Sequence, residues 1–217
     1  MPNPNHPVKN SQTKVDPIKS IKDIKSIKKL LKNNLRDYAL FIIGVNTNLR
    51  ASDLVNITVQ QVQNLKPGDD LVLTEQKTGK ERRITLNTVC VTAIENLIGS
   101  QILEDEAPVF KSRKGGKLCV QSVHRLVKGW CRQINLTGNY GSHSLRKTWG
   151  YHQRVTFGAD LPTLMTCFNH STQRQTLKYL CVQPGEVKAI YQNEIWYGAS
   201  PDAPGQTIIG CCLCQYG

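Results

Sequence analysis

At 217 residues, 39% of them hydrophobic, and with 28 Lys+Arg against 16 Asp+Glu, the chain has the length and apolar content of one well-buried domain and the charge of a protein with a polyanionic partner. Its longest apolar runs, such as residues 38–45, fall well short of the roughly 18 residues of a membrane span, and the polar N-terminus has no apolar core of a secretory signal. A cytoplasmic protein is expected, its eight cysteines reduced.

The positive charge is uneven along the chain. Residues 1–36 carry nine bases and two acids, residues 37–110 six bases and ten acids, and residues 111–180 twelve bases against the single acid Asp160, while residues 181–217 are net −2. This concentration favours a nucleic-acid partner over a merely solvated basic surface.

Residues 1–17 are rich in Asn, Pro and Lys and read as a disordered basic leader. From Ile18 an isoleucine recurs at every third position, a period that drifts around a 3.6-residue helix. Only Ile24, Ile27 and Leu31 share a face, so a helix is expected over residues 23–32 after an extended lead-in. Residues 38–44 form a buried helix, and Leu54, Ile57 and Val62 continue helical burial. Residues 66–70 make a turn, and residues 71–75 and 82–86 alternate apolar and polar around a basic tip, which predicts a β-hairpin.

Helical spacing returns over residues 89–103 and, after a basic glycine-bearing loop at 111–117, in Val123, Leu126, Val127, Trp130 and Ile134, opposite His124, Lys128 and Arg132. Ser142 is placed to cap a helix running to about Phe157, on which His143 and Arg146 are neighbours. Asp160, Leu161 and Pro162 start the next helix, with proline in its first turn. Residues 186–195 carry Val187, Ile190, Tyr191 and Ile195 on one side, a short amphipathic helix; a Pro- and Gly-rich tail follows over 196–217. Its Cys211, Cys212 and Cys214 have no matching pair, a poor spacing for zinc. The pattern is that of an α+β fold, mainly α-helical, with one small antiparallel sheet.

Within the basic half, Arg146 lies three residues after His143, and Tyr179 nine after His170 and 33 after Arg146. Phosphodiester cleavage by a tyrosine hydroxyl needs cations against the phosphate oxygens, a base for the phenol proton and an acid for the leaving hydroxyl. Arginine's planar fork suits the first task and histidine suits proton transfer. On one unbroken helix His170 and Tyr179 would be separated by about 13.5 Å and half a revolution. A site that uses both requires a break between them, with Asn169 or Ser171 as the cap of the tyrosine segment.

These residues resemble the tyrosine recombinase, or phage integrase, family over roughly residues 18–195. Thr47, Asn48, Leu49, Arg50 and Asp53 are similar to its first arginine box, and residues 77–84 to its lysine hairpin. His143, Leu145 and Arg146 resemble the H-x-L-R box; Phe168, Asn169 and His170, followed by Tyr179, resemble its terminal G-H and tyrosine pair. The resemblance implies that Arg50 and Arg146 clamp the scissile phosphate and that Lys77 protonates the departing 5′-hydroxyl. It implies further that His143 assists proton transfer, that His170 hydrogen-bonds the phosphate, and that Tyr179 forms a 3′-phosphotyrosyl bond. Lys80, Arg82 and Lys147 are expected to contact double-stranded DNA. No metal and no nucleotide cofactor are implied, and the helix over 186–195 is expected to dock on a neighbouring copy.

Asn48 and Asn169 stand where the family has glycine, and asparagine tolerates positive φ. Ser144 replaces the family's acidic residue. The chain shows no counterpart of the helical domain that typically precedes this catalytic domain, so the basic leader is expected to supply part of the phosphate contacts. The expectation is a catalytic domain over 18–195 that cuts and rejoins DNA as a site-specific recombinase. The alternatives are a type IB topoisomerase-like enzyme and a non-catalytic DNA-binding module.

Overall fold

The structure is a computed structural model that describes residues 15–76, 79–100, 104–180 and 192. The contacts divide the chain into two units, residues 1–181 and 182–217, and every described helix and strand belongs to the first. The leader expected through residue 17 gives way to packed chain sooner: Val15 and Pro17 are buried. Asp16 donates its N–H to the Asn139 carbonyl at 2.7 Å and accepts the Asn139 N–H on its carboxylate at 3.0 Å. Residues 1–14 lie outside the described residues.

Helix α1 (Ile21–Leu31) starts two residues earlier than the isoleucine spacing indicates, because Ser20 Oγ accepts the N–H groups of Lys22 and Asp23, an N-cap that fixes the start. The isoleucines drift as expected: Ile27 and Leu31 are buried, whereas Ile21 is 46% exposed. Helix α2 (Leu35–Asn46) is capped by the Asn34 side chain and buries Ala39 through Gly44. It packs on α5 (Thr88–Gly99) and on α7 (Ser142–Val155). Each of its large apolar side chains, such as Leu40, Phe41 and Ile43, contributes roughly 1.5–3 kcal/mol by leaving water. A Cβ on Gly44 would sit 2.6 Å from Leu145 Cδ1, so this glycine lets α2 and α7 approach closely.

Two short helices follow, α3 (Ala51–Leu54) and α4 (Val59–Val62). Strands β1 (Asp70–Thr74) and β2 (Glu81–Thr85) pair antiparallel, Asp70 opposite Thr85 and Thr74 opposite Glu81. They begin one residue before the expected strands, with Leu71 and Leu73 inward. Helix α6 (Val120–Gln133) buries Val123, Val127 and Trp130, and Trp130 meets Phe41 edge-on at 5.9 Å.

The cap of α7 differs from the expected one. Ser142 is its first helical residue and is buried, Gly141 takes the cap position, and Ser144 Oγ accepts the Gly141 N–H. The reason is packing: Gly141 lies against the His124 ring so closely that a Cβ would overlap it. Helix α8 (Leu161–Phe168) has Asp160 as N-cap, accepting from Thr163, and Pro162 in its first turn. It ends at Asn169, which is left-handed at φ 54°. The Asn169 N–H reaches the Thr166 carbonyl and the His170 N–H the Met165 carbonyl, the paired bonds of a Schellman motif. Helix α9 (Gln173–Leu180) then starts with Thr172 Oγ1 accepting the Gln175 N–H. The break demanded by His170 and Tyr179 is there, with Thr172 as the cap instead of Asn169 or Ser171.

Candidate active site

Four pieces of chain converge at the start of α7. Helix α7 brings His143, Arg146 and Lys147; the turn before α3 brings Asn48 and Arg50; the end of α8 brings Phe168 and His170; and α9 brings Tyr179. Gly150 makes the convergence possible, since a Cβ there would lie 2.5 Å from Phe168 and 3.0 Å from Leu180. The bare backbone of α7 thus seats the end of α8 and the end of α9 together.

Arg146 lies at the bottom, 2% exposed. One guanidinium nitrogen donates to the Asn48 carbonyl and the other to the Phe168 carbonyl at 3.0 Å. The first acceptor is aimed by the left-handed Asn48 (φ 53°), and the second belongs to the negative end of α8. Burial pulls the Arg146 pKa down to about 10, with Arg82 and Arg50 adding to that and the Tyr179 and Glu75 charges opposing it; at neutral pH it remains a cation. Arg50, at the start of α3, pairs with Glu75 at 2.8 Å and more distantly with Asp53 at 3.8 Å. The first contact is an ion pair by distance and not a well-aligned hydrogen bond.

Tyr179 Oη lies 3.4 Å from His143 Nδ1. Its ring rests against Phe168 at 5.1 Å and meets the His170 ring at 5.5 Å. Arg146 and Lys147 lie 5.8 Å and 5.5 Å from its centroid. Desolvation beside these walls lowers the His143 pKa, and the Arg146, Lys147, Arg50 and His124 charges lower it further. His170 stacks on Phe168 at 5.0 Å and shares a hydrogen bond from Nδ1 with Thr176 Oγ1 at 3.1 Å. Desolvation, then Arg146 and Arg50, push its pKa to about 4. Both imidazoles are therefore neutral at pH 7. A base able to take a phenol proton thus stands beside a tyrosine, above a buried arginine.

Arg50, His143, Arg146, His170 and Tyr179, all singled out in the sequence, meet here; Lys77 lies outside the described residues. Two of the residues expected at DNA bond within the protein. The Arg82 side chain is only 13% exposed and donates to Glu75 and to the Asn48 and Cys167 carbonyls; it ties the hairpin to α8. Lys147 is buried and donates to the Val15 carbonyl at 2.9 Å. Both turn inward because buried carbonyls and a carboxylate offer them better-desolvated partners than solvent does. Lys80 is exposed on the hairpin. Sequence reasoning gives no role to Glu75, buried at 2% between two arginines, nor to Phe168, the platform under both rings. An acid directly before a basic hairpin tip is the available signal for Glu75; Phe168 reads as ordinary core. A cleft of about 600 Å³ between the hairpin and α8 touches Arg82 and Asn169 but none of the five convergent residues.

The phage integrase family model matches residues 18–186. The chain belongs to the phage integrase family. It is 34% identical over 182 residues to the probable integrase/recombinase YoeC of Bacillus subtilis strain 168, covering 82% of this chain and 96% of that protein. To the tyrosine recombinase XerC of Caldanaerobacter subterraneus it is 29% identical over 165 residues, which span 74% of this chain but 45% of that one. Its fold is similar to that of the XerH site-specific recombinase in a post-cleavage complex, with a TM-score of 0.67 at 15% identity, covering 86% of this chain and 55% of that one. The expected catalytic-domain fold of this family is thus the observed one. Among the described residues no helix is long and apolar enough to cross a membrane, and no group of His, Cys, Asp and Glu is arranged to hold a metal ion. Cys211, Cys212, Cys214 and the helix expected over 186–195 lie outside the described residues.

Proposed function

We propose that this chain is a site-specific recombinase that cuts and rejoins double-stranded DNA through a 3′-phosphotyrosyl intermediate. The observation that carries this reading is Tyr179 Oη beside His143 Nδ1, over the buried Arg146. Neutral His143 takes the phenol proton, and Tyr179 Oη attacks the scissile phosphorus. The bond from phosphorus to the 5′-oxygen breaks, and Lys77 gives that oxygen a proton. Arg146 and Arg50 bind the non-bridging oxygens, whose charge grows in the transition state. His170, its Nδ1 engaged by Thr176, donates from Nε2 to the phosphate. The ester conserves the energy of the broken bond, so attack by a 5′-hydroxyl on the phosphotyrosine reverses the step and rejoins the strand.

The relatives support this reading. XerC is a named tyrosine recombinase, and the XerH structure is bound to its difH substrate. Lys80 on the hairpin and the leader contact phosphates, and residues 186–195 dock on a second copy of the chain.

Incubated with a nicked suicide duplex built on inverted repeats from the DNA bordering its coding region, the chain should form a covalent adduct that survives denaturation. Tyr179→Phe should form none. An adduct that persists in Tyr179→Phe, or none with the unaltered chain, overturns the assignment. Relaxation of a plasmid without strand exchange would transfer the same chemistry to a topoisomerase.

A further inference from the structure

Lys147 has a position that the proposed reaction does not use. It is 8% exposed, anchored by the Val15 carbonyl at 2.9 Å, and its ammonium stands 5.5 Å from the centre of the Tyr179 ring. Val15 is itself part of a strap laid along α7. The Ile18 N–H donates to Thr148 Oγ1 at 2.8 Å, the Ile18 carbonyl meets His152 Nε2 at 3.0 Å, and Asp16 is doubly bonded to Asn139. The strap fixes where the end of the lysine side chain can go. That end is at the face of the nucleophile.

We propose that Lys147 is a positioning residue for Tyr179: held by the strap, its charge keeps the phenol ring in place and favours the phenolate that attacks the phosphate. This rests on Tyr179 being the nucleophile. A cation near a phenol stabilises the ionised form and attracts the ring face. Among the described residues, the charged and titratable groups facing the ring are His143, Arg146 and Lys147 from α7 and His170 from the turn before α9. Arg146 is committed to two backbone carbonyls and His143 and His170 are neutral, so Lys147 is the second fixed positive charge on the ring.

Two measurements test this, on the full chain. The first needs no activity: the ultraviolet titration of tyrosine ionisation, taken as the difference between each protein and its Tyr179→Phe counterpart, isolates Tyr179. Lys147→Met should move that titration upward by about one pH unit, and Lys147→Arg should restore it. The second is single-turnover cleavage of the suicide duplex from pH 6 to 10. Lys147→Met should cleave about tenfold more slowly at neutral pH and recover as the pH rises, with unchanged DNA affinity. If Lys147→Met does not fold, Lys147→Gln, which keeps a donor for Val15, gives the same readings. An unmoved titration, or a loss equal at every pH, overturns the proposal. A shifted titration in a chain that cleaves no DNA sinks the recombinase reading and leaves the Lys147 effect standing.

Discussion

Asn48 and Asn169 hold the two arginine-binding corners of the site, each from a left-handed backbone conformation that asparagine adopts more readily than other side chains. One turns its carbonyl onto Arg146; the other ends α8 so that Phe168 offers its carbonyl to the same guanidinium. His170 sits just past that corner with a pKa of about 4, below the ordinary 6.5. Between those two values the unfolded chain binds a proton that the folded chain refuses. Stability therefore falls as pH drops from about 6.5 to about 4 and levels off below. His143, lowered in the same direction, adds to the slope. We expect thermal melts to show a decline in Tm from pH 7 to pH 4.5, and His170→Asn to lose part of that decline. A variant with the full decline would show that His170 is not responsible.

The hairpin is joined to the rest of the site at its base. Glu75, directly after β1, pairs with Arg50 and with Arg82, both at 2.8 Å, and Asp53 accepts the Gln76 N–H at 3.0 Å. The element that carries Lys77 is thus tied to the arginine proposed to hold the phosphate. Removing one partner of a buried ion pair leaves charges without compensation, at a cost of about 3 kcal/mol. Glu75→Ala is expected to lose that much in a denaturant titration. Glu81→Ala, which breaks an exposed pair with Arg83, should lose less than about 0.5 kcal/mol. Equal losses would contradict the burial argument. The hairpin itself was legible from alternation in the sequence. The Glu75 bridge was not, because its partners are 25 residues upstream and 7 downstream and only the folded turn before α3 brings them together.

Across the molecule, positive charge accumulates in residues 1–36 and 111–180, and DNA binding should depend on salt accordingly. Six phosphate contacts would cost roughly 10³-fold in affinity between 50 and 200 mM salt. If the leader adds two of them through Lys9 and Lys14, changing both to Gln should reduce the slope of log K against log salt by about 1.8, as read by fluorescence anisotropy with a duplex. A slope unchanged by the double substitution would remove the leader from the DNA contacts.

The sequence by itself determined which chemistry was at hand. Tyr179, the two histidines and the two arginines are side chains whose reactivity is intrinsic, and the helical and strand periods that carry them are local. It also required a break before α9, since helix geometry forbids His170 and Tyr179 from meeting without one. Only the tertiary structure decided where each cation's charge is spent. Arg82 and Lys147 are two among many bases in one dimension; in the fold the carbonyls of Asn48, Cys167 and Val15 accept from them, and those acceptors are distant in sequence. Surface and interior are properties of packing, and no local pattern in a chain of mixed bases separates a lysine bound for phosphate from one held under a tyrosine.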